Sequence, residues 1–462
     1  MLRVFGHHIP RSLLLLLVLE SLTLVGSFEF ARAWFTGDVT LAGAFGGAAL
    51  LPVGVLLGTM QIAGLHDDHG LEGMLGMALR LALAFGVGVI TLALLAAYGF
   101  APRADGPWLL TGVLLALTLI MIERLCLFRW MLAERFRRRV LVLGSGPRAR
   151  EIEQLIHRSS GGKRFHLVGY LAESPLVTAE VTTASPVWSM PGEGELLSFA
   201  QRHRVQEIVV AVRDRRGKLP VDQLLDCKLH GVGVCDISSF MEREGGQIRL
   251  ESLNASWLVF HDGFMRSGFG SFAKRAVDIV ASLVALIPGI PLMALGALAI
   301  ALQDGGPIFY RQIRVGQNGR PFQLLKLRSM RVDAEAGGAR WATKGDRRVT
   351  PVGRILRKTR IDELPQIVSV LLGDMSFVGP RPERPEFVSD LTRQIPYFAA
   401  RHTVKPGITG WAQVRFPYGA SVHDSRRKLE YDLYYIKNYS IFLDVLILLH
   451  TLRVVLFARG AR

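Results

Sequence analysis

Four apolar stretches fill the first part of this chain, at about Leu13 to Phe30, Leu41 to Ile62, Leu79 to Phe100 and Trp108 to Phe128. Each is near the roughly 20 residues a helix needs to cross the hydrocarbon layer of a bilayer. Lipid offers backbone amides no partners, so such segments fold as helices. Glu20 in the first, and Glu123 and Arg124 in the last, are expected to face the bundle or snorkel rather than mark an ion path. Arg3 and Arg11 precede the set, and Arg129, Arg135, Arg137, Arg138 and Arg139 follow it. By the positive-inside rule both ends of a four-span bundle then lie in the cytoplasm. A cleaved leader is not expected, because three more apolar runs follow the first.

A fifth stretch, Ala276 to Leu302, is built differently. Lys274 and Arg275 precede it, and Arg311, Arg314 and Arg320 follow it. Pro288, Gly289 and Pro291 interrupt its centre, where each proline removes a backbone donor and is expected to break the helix. A re-entrant helix, turning mid-membrane and leaving by the face it entered, satisfies the charge rule at both ends. An ordinary kinked span would put a strongly basic region outside. The whole chain agrees with a membrane setting: 462 residues, too many for one core, with a net charge of +16 and a mean hydropathy of +0.30. In such a chain excess positive charge points to anionic headgroups and phosphorylated substrates, not nucleic acid. Cys126, Cys227 and Cys235 lack metal-ligand spacing.

Between the bundle and the fifth stretch lies RRRVLVLGSGPRAREIEQLI, with strand-like FHLVGYLAE, VQEIVVAV and GVGVCDIS alternating with helical GELLSFAQRH and VDQLLDCKL. That alternation predicts a parallel α/β sheet. The first turn reads GxGxxA at Gly144, Gly146 and Ala149, with Glu173 after the next strand. This is the spacing of a dinucleotide site, but so short a motif fits a structural or regulatory Rossmann-like domain better.

From Arg311 to Arg360 there are fourteen Lys/Arg and three Asp/Glu. Part of that charge suits a surface on lipid headgroups, but Lys326 and Arg328 sit inside apolar FQLLKLRSM, where charge needs a partner. Then comes VGRILRKTRIDELPQIVSVLLGDMSFVGPRPE. In isolation Asp362 and Glu363 before Pro365 read as a helix start. If one helix runs through, Arg357 lies five residues before Asp362, a little over a turn, and reaches a phosphate held there. Adjacent residues point about 100° apart, so the two acids have different jobs: one attacks phosphorus, the other helps hold Mg²⁺ on a diphosphate. Gly379-Pro380-Arg381-Pro382 is a rigid turn that fixes Arg381 as a phosphate clamp.

The run KLRSM, RKTRIDELPQ, LLGDMSFVGPRP, VKPGITGWAQV and YDLYYIKNYS closely resembles the bacterial polyprenyl-phosphate sugar-1-phosphate transferases, the monotopic phosphoglycosyl transferases, over about Phe272 to Leu456. The bundle and α/β segment resemble the long form of that family. SFMEREGGQIRLESLNASWLVFHDGF is similar to its exopolysaccharide-locus branch. The resemblance implies Asp362 as nucleophile, Glu363 as the Mg²⁺-binding acid, Arg357 and Arg381 as phosphate contacts, and Lys326 and Arg328 as the basic pair before the site. It further implies transfer of a sugar phosphate from a UDP-sugar to undecaprenyl phosphate with release of UMP, through a phosphosugar on Asp362. Glucose or galactose is the implied sugar.

The resulting expectation is a membrane α-helical bundle (1–134), a Rossmann-like α/β domain (135–245), a linker (246–271) and a small α-rich catalytic domain (272–462) with a re-entrant membrane helix at 276–302. The catalytic domain would be cytoplasmic, on a multi-pass protein of the bacterial inner membrane; a homodimer is compatible with this. Two other readings remain: a processive membrane glycosyltransferase, against which stand the missing DxD and QxxRW motifs, and a non-catalytic membrane scaffold or sensor. His402 and His423 are expected to be structural. KPGITGWAQV is either a turn with a packed Trp411 or a border of the nucleotide pocket. IFLDVLILLHTLRVVLF, with three polar interruptions, reads as an interfacial or packed helix.

Overall fold

The computed structural model describes all residues except 1, 5–6, 10, 38–48, 67–73, 100–106, 132–137, 159–164, 173–184, 213–218, 254–267, 336–337, 339–345, 417–420 and 458–462. Glu173 lies outside the described residues. The chain forms two units, one built mainly of Ile9–Gly245 and the other of Gly246–Arg462 together with Leu2–His8.

The first unit opens with four apolar helices, α1 (Arg11–Thr36), α2 (Leu50–Ile62), α3 (Met74–Ala97) and α4 (Pro107–Met131). Helices long and apolar enough to cross a membrane are Leu13–Thr36, Met74–Ala97, Pro107–Cys126 and, in the second unit, Gly270–Asp304. The described part of the second apolar stretch, α2, is shorter. Leu24, Phe28, Leu56, Leu81 and Ile120 form the bundle core. The acids and arginine read as bundle-facing are paired there: Glu20 binds Arg124 at 2.6 Å and His66 at 2.6 Å, all three buried.

The α/β part follows: β1 (Arg138–Leu143), α5 (Pro147–Arg158), β2 (Phe165–Ala172), β3 (Val187–Ser189), α6 (Leu196–Arg202), β4 (Glu207–Val210), α7 (Val221–Leu229), β5 (Gly233–Asp236) and α8 (Ile237–Gly245). The strands form one parallel sheet in the order β3-β2-β1-β4-β5. Side chains alternate across β1. Leu141 and Leu143 pack with Leu196, Ala200 and Leu224 of α6 and α7. Val140 and Val142 pack with Ile152 and Phe240 of α5 and α8. Helices therefore cover both faces, which is why the strands read as continuous apolar runs.

In the second unit, α9 (Gly268–Asp304) is followed by the antiparallel hairpin β6 (Phe309–Val315) and β7 (Pro321–Leu327). Then come α10 (Pro351–Thr359), a 3₁₀ turn (Ile361–Glu363), α11 (Gln366–Leu372), β8 (Ser376–Val378), α12 (Pro385–Gln394), β9 (Gly407–Thr409), α13 (Trp411–Arg415), α14 (Val422–Lys437) and α15 (Ile441–Phe457). Two sequence expectations change. Helix α9 is helical over the whole of Gly268–Asp304, with Pro288 and Pro291 inside it, so the expected break is not seen. The acid pair lies not on a helix but on the 3₁₀ turn between α10 and α11, with Pro365 just before α11.

The core of this unit gathers Phe398, Trp411, Leu433, Tyr434, Tyr435 and Ile447. Ile248 and Leu250, from the stretch expected as a linker, join it. Trp411 is buried, stacks on Tyr434 at 5.8 Å and donates its indole N–H to Gly246 O at 2.7 Å. KPGITGWAQV thus has a packing role. Its glycines serve close backbone approach: β8 pairs in parallel with β9, Gly407 N donates to Pro380 O at 2.9 Å, and Gly379 N donates to Thr409 O at 2.9 Å. A Cβ at Gly407 would lie 2.1 Å from Gly379 N. Backbone on both sides cannot yield, so Gly407→Ala should cost about 3 kcal/mol, read as a lowered unfolding midpoint in detergent.

Candidate active site

The acid pair is placed by the ends of two helices. Thr350 caps α10, accepting from Gly353 N at 2.9 Å, and Pro351 takes its first position. Gly353 is obligatory, since a Cβ there would meet Ser329 O at 2.0 Å. Arg357 and Lys358 occupy the last turn, where positive charge suits the helix dipole. Arg360 then adopts the left-handed conformation, φ +61°, and stops the helix. A non-glycine residue rarely does this, and such strain gathers at functional sites. The single 3₁₀ turn that follows carries Asp362 and Glu363 inward, 7% and 8% exposed.

Their environments differ. Glu363 Oε1 accepts from Arg381 Nη2 at 2.7 Å and Lys326 Nζ at 3.1 Å; its Oε2 has Arg360 Nη1 at 3.5 Å. Burial alone would raise Glu363, but Arg381, Lys326 and Arg360 outweigh it and hold the carboxyl well below the usual range. Asp362 is raised, by burial first and then by Glu363, against the pull of Lys326, Arg357 and Arg360. Its buried Oδ1 has no hydrogen-bond partner among the described residues, and neither has Gln366 Nε2, four residues on. Burial pushes Lys326 down, with Glu363 opposing. Two neighbouring carboxyls driven apart in this way suit different chemical roles.

The structure therefore brings together Asp362, Glu363, Lys326 and Arg381, with Arg357 acting on Asp362 through its charge. It does not bring Arg328 to them. That guanidinium donates to Gly306 O at 2.9 Å and Gly305 O at 3.2 Å and faces Asp304 at 3.8 Å, so it holds the end of α9. Arg360 and Gln366 were not singled out from sequence, although both lie in the same short motif. Arg401 was also missed: it donates to Arg381 O at 2.9 Å and pairs with buried Asp432 at 2.9 Å, fixing the clamp from behind. Nothing local in the sequence marks that long-range contact. His402 is driven down to about 4, by burial and then by Arg401, so it stays neutral beside that arginine.

Among the described residues no three acid, histidine or cysteine side chains converge on one point, so no all-protein metal cage is built. Mg²⁺ is commonly held by one or two carboxylates with substrate phosphates, and the weakly engaged Oε2 of Glu363 and the unpartnered Oδ1 of Asp362 fit that arrangement.

The sequence profile described as "Bacterial sugar transferase" matches residues 269–458, which carry this whole site. A relative from Komagataeibacter xylinus, an undecaprenyl-phosphate glucose phosphotransferase, is 32% identical over 377 residues, 79% of this chain and 68% of the relative. The chain belongs to the bacterial sugar transferase family. It is also 44% identical over 239 residues, 52% of its length, to the UDP-N-acetylgalactosamine-undecaprenyl-phosphate N-acetylgalactosaminephosphotransferase of Aeromonas hydrophila. It is 35% identical over 262 residues, 56% of its length, to the UDP-glucose:undecaprenyl-phosphate glucose-1-phosphate transferase of Escherichia coli K12. The matched stretch spans 56% of each of these last two relatives.

The split pair predicts opposite stability effects. A raised Asp362 favours its neutral form in the fold, so its contribution is full below an unfolded value of about 4 and is lost as pH rises through the folded value. A lowered Glu363 contributes above about 4 and loses that as pH falls through its folded value. At pH 7, Asp362→Asn should raise the unfolding midpoint, by about 1 kcal/mol in stability, and Glu363→Gln should lower it, by about 2 kcal/mol, because Lys326 and the partly exposed Arg381 and Arg360 lose their partner.

Proposed function

We propose that this chain transfers a sugar 1-phosphate from a UDP-sugar to undecaprenyl phosphate, releasing UMP. The observation that carries the reading is the divided acid pair: one carboxylate neutralised by three cations, the other buried, raised, and with one oxygen free of hydrogen bonds among the described residues. Family membership and the names of the relatives support the donor and acceptor classes.

The Asp362 carboxylate attacks the sugar-bearing phosphorus. The bond from that phosphorus to the oxygen of UMP breaks, and UMP leaves with the electron pair. A phosphosugar remains on Asp362 as an acyl phosphate, a mixed anhydride, until an oxygen of the lipid phosphate attacks the same phosphorus and expels the carboxylate. A raised Asp362 is the more basic and hence the stronger nucleophile of the two acids. Arg381 and Lys326, already held on Glu363, orient toward the diphosphate and offset the repulsion between carboxylate and phosphate. Arg357 adds to that field. When Mg²⁺ is bound, held by Glu363, it supplies further charge neutralisation on the diphosphate.

The membrane reading follows from the same unit. Lys274 Nζ binds Asp444 at 2.6 Å and Val378 O at 3.2 Å, Arg275 binds Val370 O and Leu371 O, and Gln303 at the far end accepts from Val352 N at 2.8 Å. Both ends of α9 are thus held by one small fold, which supports a re-entrant 276–302 and a catalytic domain on the cytoplasmic face of the inner membrane. Within this proposal residues 1–134 anchor the protein, 135–245 form a Rossmann-like domain, and the product initiates an exopolysaccharide or other surface glycan.

The test is UMP release from UDP-glucose, UDP-galactose and UDP-N-acetylgalactosamine by the detergent-solubilised full chain with Mg²⁺ and undecaprenyl phosphate. Asp362→Asn should lose at least about a thousandfold in rate and Arg381→Ala about a hundredfold. The acid limb of the pH–rate profile should lie above the ordinary aspartate range, because the raised Asp362 must be ionised to attack. Release of UDP would replace the reaction class with glycosyl transfer. Release of neither nucleotide would favour the scaffold.

A further inference from the structure

We infer that the turn between β1 and α5, Gly144 to Ala149, binds the phosphate of a nucleotide. The site lies in the amino-terminal unit and is independent of the chemistry proposed for the acid pair. Topology is the first observation. The chain winds β1 to β2 to β3 in one direction and then places β4 on the other side of β1. The direction reverses between β1 and β4, and crevices at such points, beyond the carboxyl ends of the strands, are where doubly wound sheets take ligands. Gly144 ends β1 at φ +115° and approaches the end of β4 so closely that a Cβ would lie 3.2 Å from Ala211 C.

The second observation is a polar group with no use inside the fold. Ser145, between the two glycines, is 1% exposed, and its Oγ has no hydrogen-bond partner among the described residues. An unpaired buried hydroxyl costs about 1–3 kcal/mol, so the Ser145 hydroxyl calls for a partner, which a phosphate oxygen or a water would supply. The third is charge. The first turn of α5 holds no acid, against the usual preference at the positive end of a helix dipole, and instead carries Arg148 and Arg150. Arg148 reaches across to Val212 O, at the end of β4, at 2.8 Å. Its guanidinium therefore sits at the lip of the crevice. A hydroxyl, a helix N-terminus and arginine together have the chemistry of a phosphate site.

Gly146 permits a clean test. Its Cβ would meet nothing within 4 Å, and aspartate is a preferred residue at the position that caps a helix, so Gly146→Asp should fold as well as the parent or better. Its carboxylate would repel a phosphate. UMP, AMP, NAD, ATP and pyrophosphate are titrated calorimetrically into the detergent-solubilised full chain, the Gly146→Asp variant and the Ser145→Ala variant. Only a difference between wild type and variant reports this turn, since the acid pair lies elsewhere. At least one nucleotide should bind wild type more than about tenfold tighter than Gly146→Asp, and about fivefold tighter than Ser145→Ala. Without ligand, the unfolding midpoint of Gly146→Asp should equal or exceed that of wild type. The inference is overturned if no nucleotide separates wild type from Gly146→Asp, or if pyrophosphate binds as tightly as the best nucleotide.

Discussion

Glu363 is buried with Arg381, Lys326 and Arg360 closed around it, and this one carboxylate sets the character of the site. Three cations drawn from a strand, a turn and a helix end could not be held so near each other without an anion between them. Once they are bound to Glu363, the adjacent Asp362 faces their combined field without a direct hydrogen bond to its Oδ1. An acid pair in a uniform setting would share protons and do one job. Here the fold makes one member a fixed counter-ion and leaves the other raised, with the two carboxyls driven apart.

The scaffold beneath the pair explains why so much of it is glycine, proline and buried charge. Arg381 reaches Glu363 because Gly379-Pro380 is locked to the Gly407 strand, and because Arg401, anchored on Asp432, grips the carbonyl of Arg381. Strand β8, which delivers that turn, is in turn held by α9: Asp278 accepts from Ser376 Oγ at 2.9 Å and from Phe377 N at 3.0 Å, while Lys274 binds Val378 O. The apolar helix is therefore linked, through hydrogen bonds, to the strand that leads into the Arg381 turn.

Much of this was legible in the sequence. Alternating runs announced the parallel sheet, and the helices on both faces account for their unbroken apolarity. The acid pair, Lys326 and Arg381 were readable because they lie in short, dense motifs. Other features were hidden for physical reasons. The left-handed Arg360 interrupts a pattern that looks helical from Arg354 onward, since spacing does not register a single residue with positive φ. Arg328 looks like a partner of Lys326, because residues two apart share one face of a strand, yet β7 ends at Leu327 and Arg328 turns instead to the carbonyls of Gly305 and Gly306. Arg401 and Asp432 are joined only by tertiary packing. Pro288 and Pro291 suggested a break where helical backbone persists.

The division of labour between the two acids is tested most directly by trapping the enzyme with a UDP-sugar and Mg²⁺ in the absence of lipid phosphate, followed by rapid acid quench, digestion and mass spectrometry of the peptide holding TRIDELPQ. The account predicts a phosphosugar on Asp362, absent from Asp362→Asn and discharged when undecaprenyl phosphate is added before the quench. A phosphosugar on Glu363, or UMP release with no covalent species at any time point, would contradict it.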